Sequence, residues 1–202
     1  DENLNKVQQN LYLLLYEDSL LRASDSIFQN FYGNRQSAAI GKVHEVKQDL
    51  NTAESFTPQQ EAALVLADSL IKIKLDSITA LDSVNALNAV AGYQAIRESL
   101  VNGINTLNGT AAAIMQQHKI SAGSLLTAAA VKNSAVIPLE LPETNHKQVN
   151  EMLIQYKTTG RESINNNYAA LLAVAQQCPY AGGPAVYQAR AMLEMVDETI
   201  EY

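Results

Sequence analysis

Along most of this chain apolar side chains recur every three to four positions, the spacing that gathers them on one face of an α-helix. That periodicity predicts an all-α fold, an antiparallel bundle of about five to seven helices with no sheet. Composition agrees. Five prolines, nine glycines and no tryptophan in 202 residues suit helices joined by few turns. An apolar content of 47% is enough for one core, or for two small helical lobes.

Residues 3–32 read as one long helix, with Leu4, Val7, Leu11, Leu14, Leu21 and Phe28 on its inward stripe and Gly33-Asn34 as its stop. A more polar helix is expected over about 36–53. Thr57-Pro58-Gln59-Gln60 spells a capping box with proline at the first helical position, and opens a helix over 58–90. Gly92, Gly103 and Gly109 argue against a single rod beyond it, so separate helices are expected over 93–117 and 124–132, after a break near Ala89 to Tyr93. The two prolines of Ile137-Pro138-Leu139-Glu140-Leu141-Pro142 make 137–143 an extended connection between an N-terminal region, 1–136, and a C-terminal helical hairpin, 144–202. In that hairpin Val149, Met152, Leu153, Tyr156, Ile164, Tyr168, Leu171, Leu172 and Ala175 form one stripe. Gly160 lies on it as a point of close helix approach. Cys178-Pro179 ends it, and a last helix begins near Pro184.

Charge excludes several functions. The net charge is −7 and the 14 lysines and arginines are scattered, so the chain lacks the basic patch that displaces counterions from nucleic acid. The same scatter denies it a basic amphipathic helix for a membrane surface, and no apolar run reaches the roughly 20 residues of a membrane span. The opening Asp1-Glu2-Asn3 carries no signal peptide and reads as the start of a mature or excised piece.

Motifs for chemistry are sparse. His44-Glu45 begins like a zinc-protease helix, but Gln48 stands where the second histidine belongs. Glu143-Thr144-Asn145-His146 has the spelling of a di-iron ligand pair, yet that chemistry needs a second pair and two more glutamates, so a structural role at a helix start is preferred. Gly182-Gly183-Pro184 reads as a turn into a helix. Glu194, Asp197, Glu198 and Glu201 read as a solvated face of the last helix. Cys178, the only cysteine, is a buried thiol or half of a disulfide to another segment, since no histidine adjoins it in sequence. No catalytic residue, metal ligand or cofactor is assigned.

Two signals rise above background. Asp-Ser followed by an aliphatic residue occurs at Asp18-Ser19-Leu20, Asp25-Ser26-Ile27, Asp68-Ser69-Leu70, Asp76-Ser77-Ile78 and Asp82-Ser83-Val84. Average composition allows roughly 0.5 such triplets from eight aspartates. The triplet resembles the O-glycosylation acceptor of exported Bacteroidota proteins. That resemblance makes Ser19, Ser26, Ser69, Ser77 and Ser83 candidate sugar carriers. A solvated helix face beside the core is the other reading.

The second signal is Cys178-Pro179-Tyr180-Ala181-Gly182-Gly183-Pro184-Ala185-Val186-Tyr187-Gln188-Ala189-Arg190. It resembles a Cys-Pro-x-x-Gly-Gly-x-Ala-Val-Tyr-x-Ala-Arg pattern of large secreted Bacteroidota proteins, in a helical region ahead of the C-terminal domain that directs type IX secretion. The resemblance covers about 25 residues and implies export to the cell surface or beyond, with no reaction attached. Physically, Cys178-Pro179 stops a helix, the glycines turn the chain, Val186 and Ala189 pack the next helix back, and Arg190 is placed to bind carbonyls at the preceding helix end.

The expectation is therefore a non-catalytic structural or protein-interaction module of a secreted or cell-surface protein. Its partners would be other protein segments or cell-surface proteins, without nucleic acid or membrane insertion, and its oligomeric state stays open. The alternative is a small-ligand or metal-binding bundle, for which Glu143, His146 and Tyr156 would have to converge on one pocket. A weaker one, a Cys178 nucleophile, needs His44, His118 or His146 at the sulfur.

Overall fold

A computed structural model describes residues 2–200, with side chains from Leu4 onward. Eleven helices and no strand are found among the described residues: α1 (Glu2–Glu17), α2 (Ser19–Ser24), α3 (Ser26–Gln36), α4 (Ala39–Glu54), α5 (Pro58–Leu87), α6 (Tyr93–Ser134), α7 (Leu141–Thr159), α8 (Glu162–Asn166), α9 (Tyr168–Ala175), α10 (Pro179–Gly182) and α11 (Ala185–Glu194). The all-α bundle read from periodicity is the fold. The chain divides into two units, Asp1–Ala53 with Gly123–Tyr202, and Glu54–Ala122.

The first unit holds the main core. Ala185, Val186, Ala189, Met192 and Leu193 face inward from α11, and they meet Leu171, Val174 and Ala175 of α9, Val149 and Met152 of α7, and Ile164 of α8. Taking a side chain of this size fully out of water contributes about 1.5–3 kcal/mol, which makes this cluster the largest favourable contribution to the unit. A smaller cluster joins Val46 and Leu50 of α4 to Ala129 of α6 and Ile154 of α7, with Leu153 packed against both clusters. Tyr12 and Leu15 anchor α1, and the Tyr12 ring stacks on Tyr32 with centroids 5.2 Å apart, fastening α3 to α1.

The second unit is a two-helix hairpin of α5 and the N-terminal part of α6. Gln60, Leu64, Ala67, Ile71, Lys74, Ile78, Leu81 and Asn85 are shielded along α5, with Ala63 and Asp82 beside them, and the eight repeat by three and four. Tyr93, Arg97, Leu100, Ile104, Leu107, Ala111, Ile114 and His118 do the same on α6. This is an antiparallel coiled-coil seam, in which a seven-residue repeat keeps one narrow stripe of each helix facing the other. Asp82 closes its turn end, accepting from Tyr93 Oη at 2.8 Å and Arg97 Nε at 3.2 Å. Phe56 and His118 stack at the other end, 4.2 Å between centroids. Lys74 lays its stem over Gly103, where a Cβ would stand 2.8 Å from Cε.

Several boundaries differ from expectation, each for a local reason. Residues 3–32 are not one helix. Asp18 leaves helical geometry to accept from Leu21 N at 2.8 Å, and Asp25 does so for Ile27 N at 2.7 Å, so two N-caps cut the rod into α1, α2 and α3. The stripe assigned to that rod is also rotated: Leu4, Val7 and Leu14 are exposed, whereas Asn5, Tyr12 and Leu15 are buried. The run Leu11 to Tyr16 is apolar nearly all round, so spacing alone does not choose its inner face. The turn at residues 88–92 lies where a break was expected, but 93–134 is a single 42-residue helix in place of two. Gly109 and Gly123 stand in open space within it, and the alanines around them carry the helix past at a cost of about 1 kcal/mol per glycine. Gly160 is no point of helix approach. It ends α7 at φ +88° with nothing within 4 Å of its Cβ position. The connection ahead of α7 ends at Glu140, with Leu141 already helical, and α7 is fastened to the end of α6 across it: Asn133 Nδ2 donates to Lys147 O at 2.9 Å and Lys147 Nζ to Val136 O at 2.6 Å.

Candidate functional site

In the first unit a cavity of about 350 Å³ opens among α1, α4, α7 and the residue that precedes α11. Its apolar wall is Tyr12, Leu13, Ile40, Val43 and Pro184, and its polar groups include His44, Lys47, Gln48, Glu143 and His146. His44 is clasped edge-on by two tyrosines, with Tyr12 at 5.8 Å and Tyr16 at 4.4 Å between ring centroids. Its Nε2 is buried without a hydrogen-bond partner. Burial first, and then the Lys47 ammonium, hold the His44 imidazole below its ordinary range against the opposing carboxylates of Glu45 and Glu17. The same two causes push His146 down to about 4. Both rings are therefore neutral at pH 7. Glu143 is committed to structure: its Oε2 accepts from Leu139 N at 2.8 Å and Glu140 N at 3.3 Å, closing the first turn of α7.

Glu143 and His146 thus share one cavity, while Tyr156 packs against the main core instead. No group of three or more His, Cys, Asp or Glu that could hold a metal is found among the described residues. His118 stacks on Phe56 in the hairpin unit, and Cys178 is exposed and free, which corrects the expectation of a buried thiol. The clasp on His44 is not legible in sequence, because the ring is on α4 and both tyrosines are on α1; only the one-turn spacing of Tyr12 and Tyr16 is a local signal.

The second feature is a stripe on α5. Leu66, Leu70, Ile73, Ser77, Ala80, Val84 and Leu87 follow the three-and-four rule a second time, about 110° around the helix from the hairpin seam. All are exposed, Leu66 at 59%, Ile73 at 60% and Leu87 at 83%. Exposed apolar rows of this kind are what interaction surfaces generally carry.

The Asp-Ser triplets fall into two structural kinds. Asp18 and Asp25 are N-caps, with Ser19 and Ser26 in the first helical position. Ser69, Ser77 and Ser83 sit inside α5 and donate to the carbonyls of Val65, Ile73 and Thr79 at 2.9, 2.8 and 2.8 Å. All five serines are exposed.

The stretch 178–190 is a packed corner. Cys178 and Pro179 start α10; Gly182 is buried, with Val186 Cγ2 2.6 Å and Gln177 Oε1 2.7 Å from where its Cβ would be. Asn145 Nδ2 donates to Gly182 O at 2.9 Å and to Gln177 Oε1 at 2.7 Å, joining α7 to the corner. Gly183 turns at φ +76° against Pro142. Ala185, Val186 and Ala189 enter the core while Tyr187 stays exposed, and Arg190 caps the end of α9, donating from Nε to Ala175 O at 2.8 Å and from Nη2 to Gln177 O at 3.3 Å. Arg190 is thus spent on holding the turn, while Cys178 and Tyr187 stay exposed. The acidic set is not one helix face, since α11 stops at Glu194; Asp197 instead accepts from Thr199 and from Tyr168 Oη at 3.0 Å, and Glu201 lies outside the described residues.

No protein-family model, curated protein or solved structure matches the chain. No helix among the described residues is long and apolar enough to cross a membrane.

Proposed function

We propose that the chain is a non-catalytic helical module that works by binding other protein segments, in a secreted or cell-surface protein of the type IX kind. The observation that carries this reading is the uncovered apolar stripe of α5, on a hairpin whose own seam is already filled by α6. The corner at 178–190, whose glycines pack and whose Arg190 binds the end of α9, supports a structural motif. Export rests on the resemblance of that corner and of the five Asp-Ser triplets. Amine cross-linking on intact source cells tests the module. Lys72 and Lys74, on the same helix as the stripe, should be captured with another polypeptide, and intact mass should show hexose increments on the extracellular chain. Absence of any intermolecular cross-link to either lysine removes the reading.

A second reading has a specific observation behind it. The cavity offers an apolar wall, two neutral imidazoles and an unsatisfied His44 Nε2, and a volume within the range of small-ligand sites, about 300–1,000 Å³. NMR of the imidazole protons during titration with small carboxylic acids and neutral aromatics tests it. Resonances of His44 and His146 that never move would remove it.

A further inference from the structure

From the pattern of the α5 stripe we infer that its occupant is the α5 stripe of a second copy of this chain, packed antiparallel about a two-fold axis between Ser77 and Ala80. The inference rests on the interaction-module reading and names the partner. Leu70, Ile73, Ser77, Ala80, Val84 and Leu87 are separated by three, four, three, four and three residues, a spacing that reads the same in both directions. Size is palindromic as well: two large residues, two small ones, then two large ones. Turned end over end, Leu70 faces Leu87, Ile73 faces Val84, and Ser77 faces Ala80. Each layer then pairs the two alternating positions of a heptad, as antiparallel helices require, and the interface is isologous.

Two further observations fit this partner, and a third limits its strength. The only polar member, Ser77, donates its hydroxyl to Ile73 O at 2.8 Å, so it enters an apolar seam with its donor already satisfied. The small Ser77–Ala80 layers at the centre let the two backbones approach closely. Of the charges beside the stripe, Lys74 lies about 13 Å along the helix from its mate, but Asp76 lies only about 7–8 Å from its own, a repulsion that solvent and salt screen and that keeps the pairing weak. Pairing the stripe, with Leu66 at its margin, covers on the order of 1,000 Å² in total, the lower limit for a specific interface, so the dimer is concentration-dependent and weak.

Sedimentation equilibrium on the purified full chain, from micromolar to millimolar concentration, tests the inference. The expected result is a monomer that shifts to twice its mass as concentration rises, with a Lys74–Lys74 cross-link, which only two copies can form. Ala80→Leu separates this register from general stickiness. It adds apolar surface at an exposed position, so adventitious association would strengthen, whereas the palindromic seam loses its small central layer and the dimer weakens at least tenfold. Circular dichroism confirms that the variant folds. A monomer at every concentration overturns the inference, and so does tighter association of Ala80→Leu. If the purified chain stays monomeric while Lys72 and Lys74 are captured by a different protein on cells, the dimer fails and the module reading stands. If neither occurs, both fail.

Discussion

Acid should loosen the first unit well before its carboxylates protonate, and His146 is the reason. Burial and the nearby Lys47 ammonium hold its folded pKa at about 4, against 6.5 in the unfolded chain. Between those values the unfolded state takes up a proton that the folded state refuses, so stability falls as pH drops from 6.5 and levels off below 4. At 1.36 kcal/mol per pH unit the loss is about 2 kcal/mol at pH 5 and about 3 kcal/mol in full, a large share of the 5–15 kcal/mol that holds a typical domain together. His44 acts in the same direction, since its pKa is also lowered. The assay has two parts: NMR titration of the His146 imidazole in the folded protein, and urea unfolding at pH 7.5, 6 and 5 for the wild type and His146→Gln. The glutamine variant should lose most of the pH dependence in that window while keeping a polar group in the cavity. A His146 that titrates near 6.5 in the folded chain, or a wild type equally stable at pH 7.5 and 5, would show that the ring is hydrated and the reasoning wrong.

Removing an N-cap should cost about 0.5–2 kcal/mol, so Asp18→Ala and Asp25→Ala each lower the urea midpoint while leaving the far-ultraviolet helix signal of α5 and α6 in place. Gly182→Ala puts a methyl where Val186 and Gln177 already stand, and should destabilise the first unit by about 1–3 kcal/mol in the same unfolding assay. Arg190→Gln removes two bonds to the carbonyls that end α9 and should cost about 1–3 kcal/mol, with faster amide exchange confined first to α9 and α10.

The sequence carried the fold class because amphipathic spacing is a local property, readable in windows of two or three turns. It also carried the capping box at Thr57, the turn near Gly92 and the Arg190 contact, since each depends on residues close in sequence or on one helix end. What it hid depends on competition between elements. Asp18 and Asp25 are ordinary polar residues until the chain decides whether they cap or continue, and here α3 must turn back for Tyr32 to reach Tyr12. The double stripe on α5 escaped for a related reason. Its two seams overlap in one sequence, and a single inward face drawn through Leu64, Ile71, Leu75, Ile78, Leu81, Val84 and Leu87 mixes them, although Leu75, Val84 and Leu87 are exposed. The cavity was half legible. Glu143 and His146 share a short motif, but the imidazole they lie near, His44, is about a hundred residues away.

Glycosylation and pairing make competing demands on one residue. Ser77 is both a candidate sugar acceptor and the middle of the palindromic stripe. A sugar there would replace the hydroxyl hydrogen, abolish the bond to Ile73 O, and set a bulky polar group where the two backbones come closest. Ser19 and Ser26 lie in the other unit and carry no such conflict. Chains from the source cells should therefore separate by native mass spectrometry into a monomer fraction that includes species modified at Ser77 and a dimer fraction that excludes them, whatever the occupancy of Ser19 and Ser26. The two proposals remain compatible as long as the host leaves Ser77 bare in the paired molecules. A hexose mapped to Ser77 within an intact dimer would mean that the apolar stripe is not what holds the copies together.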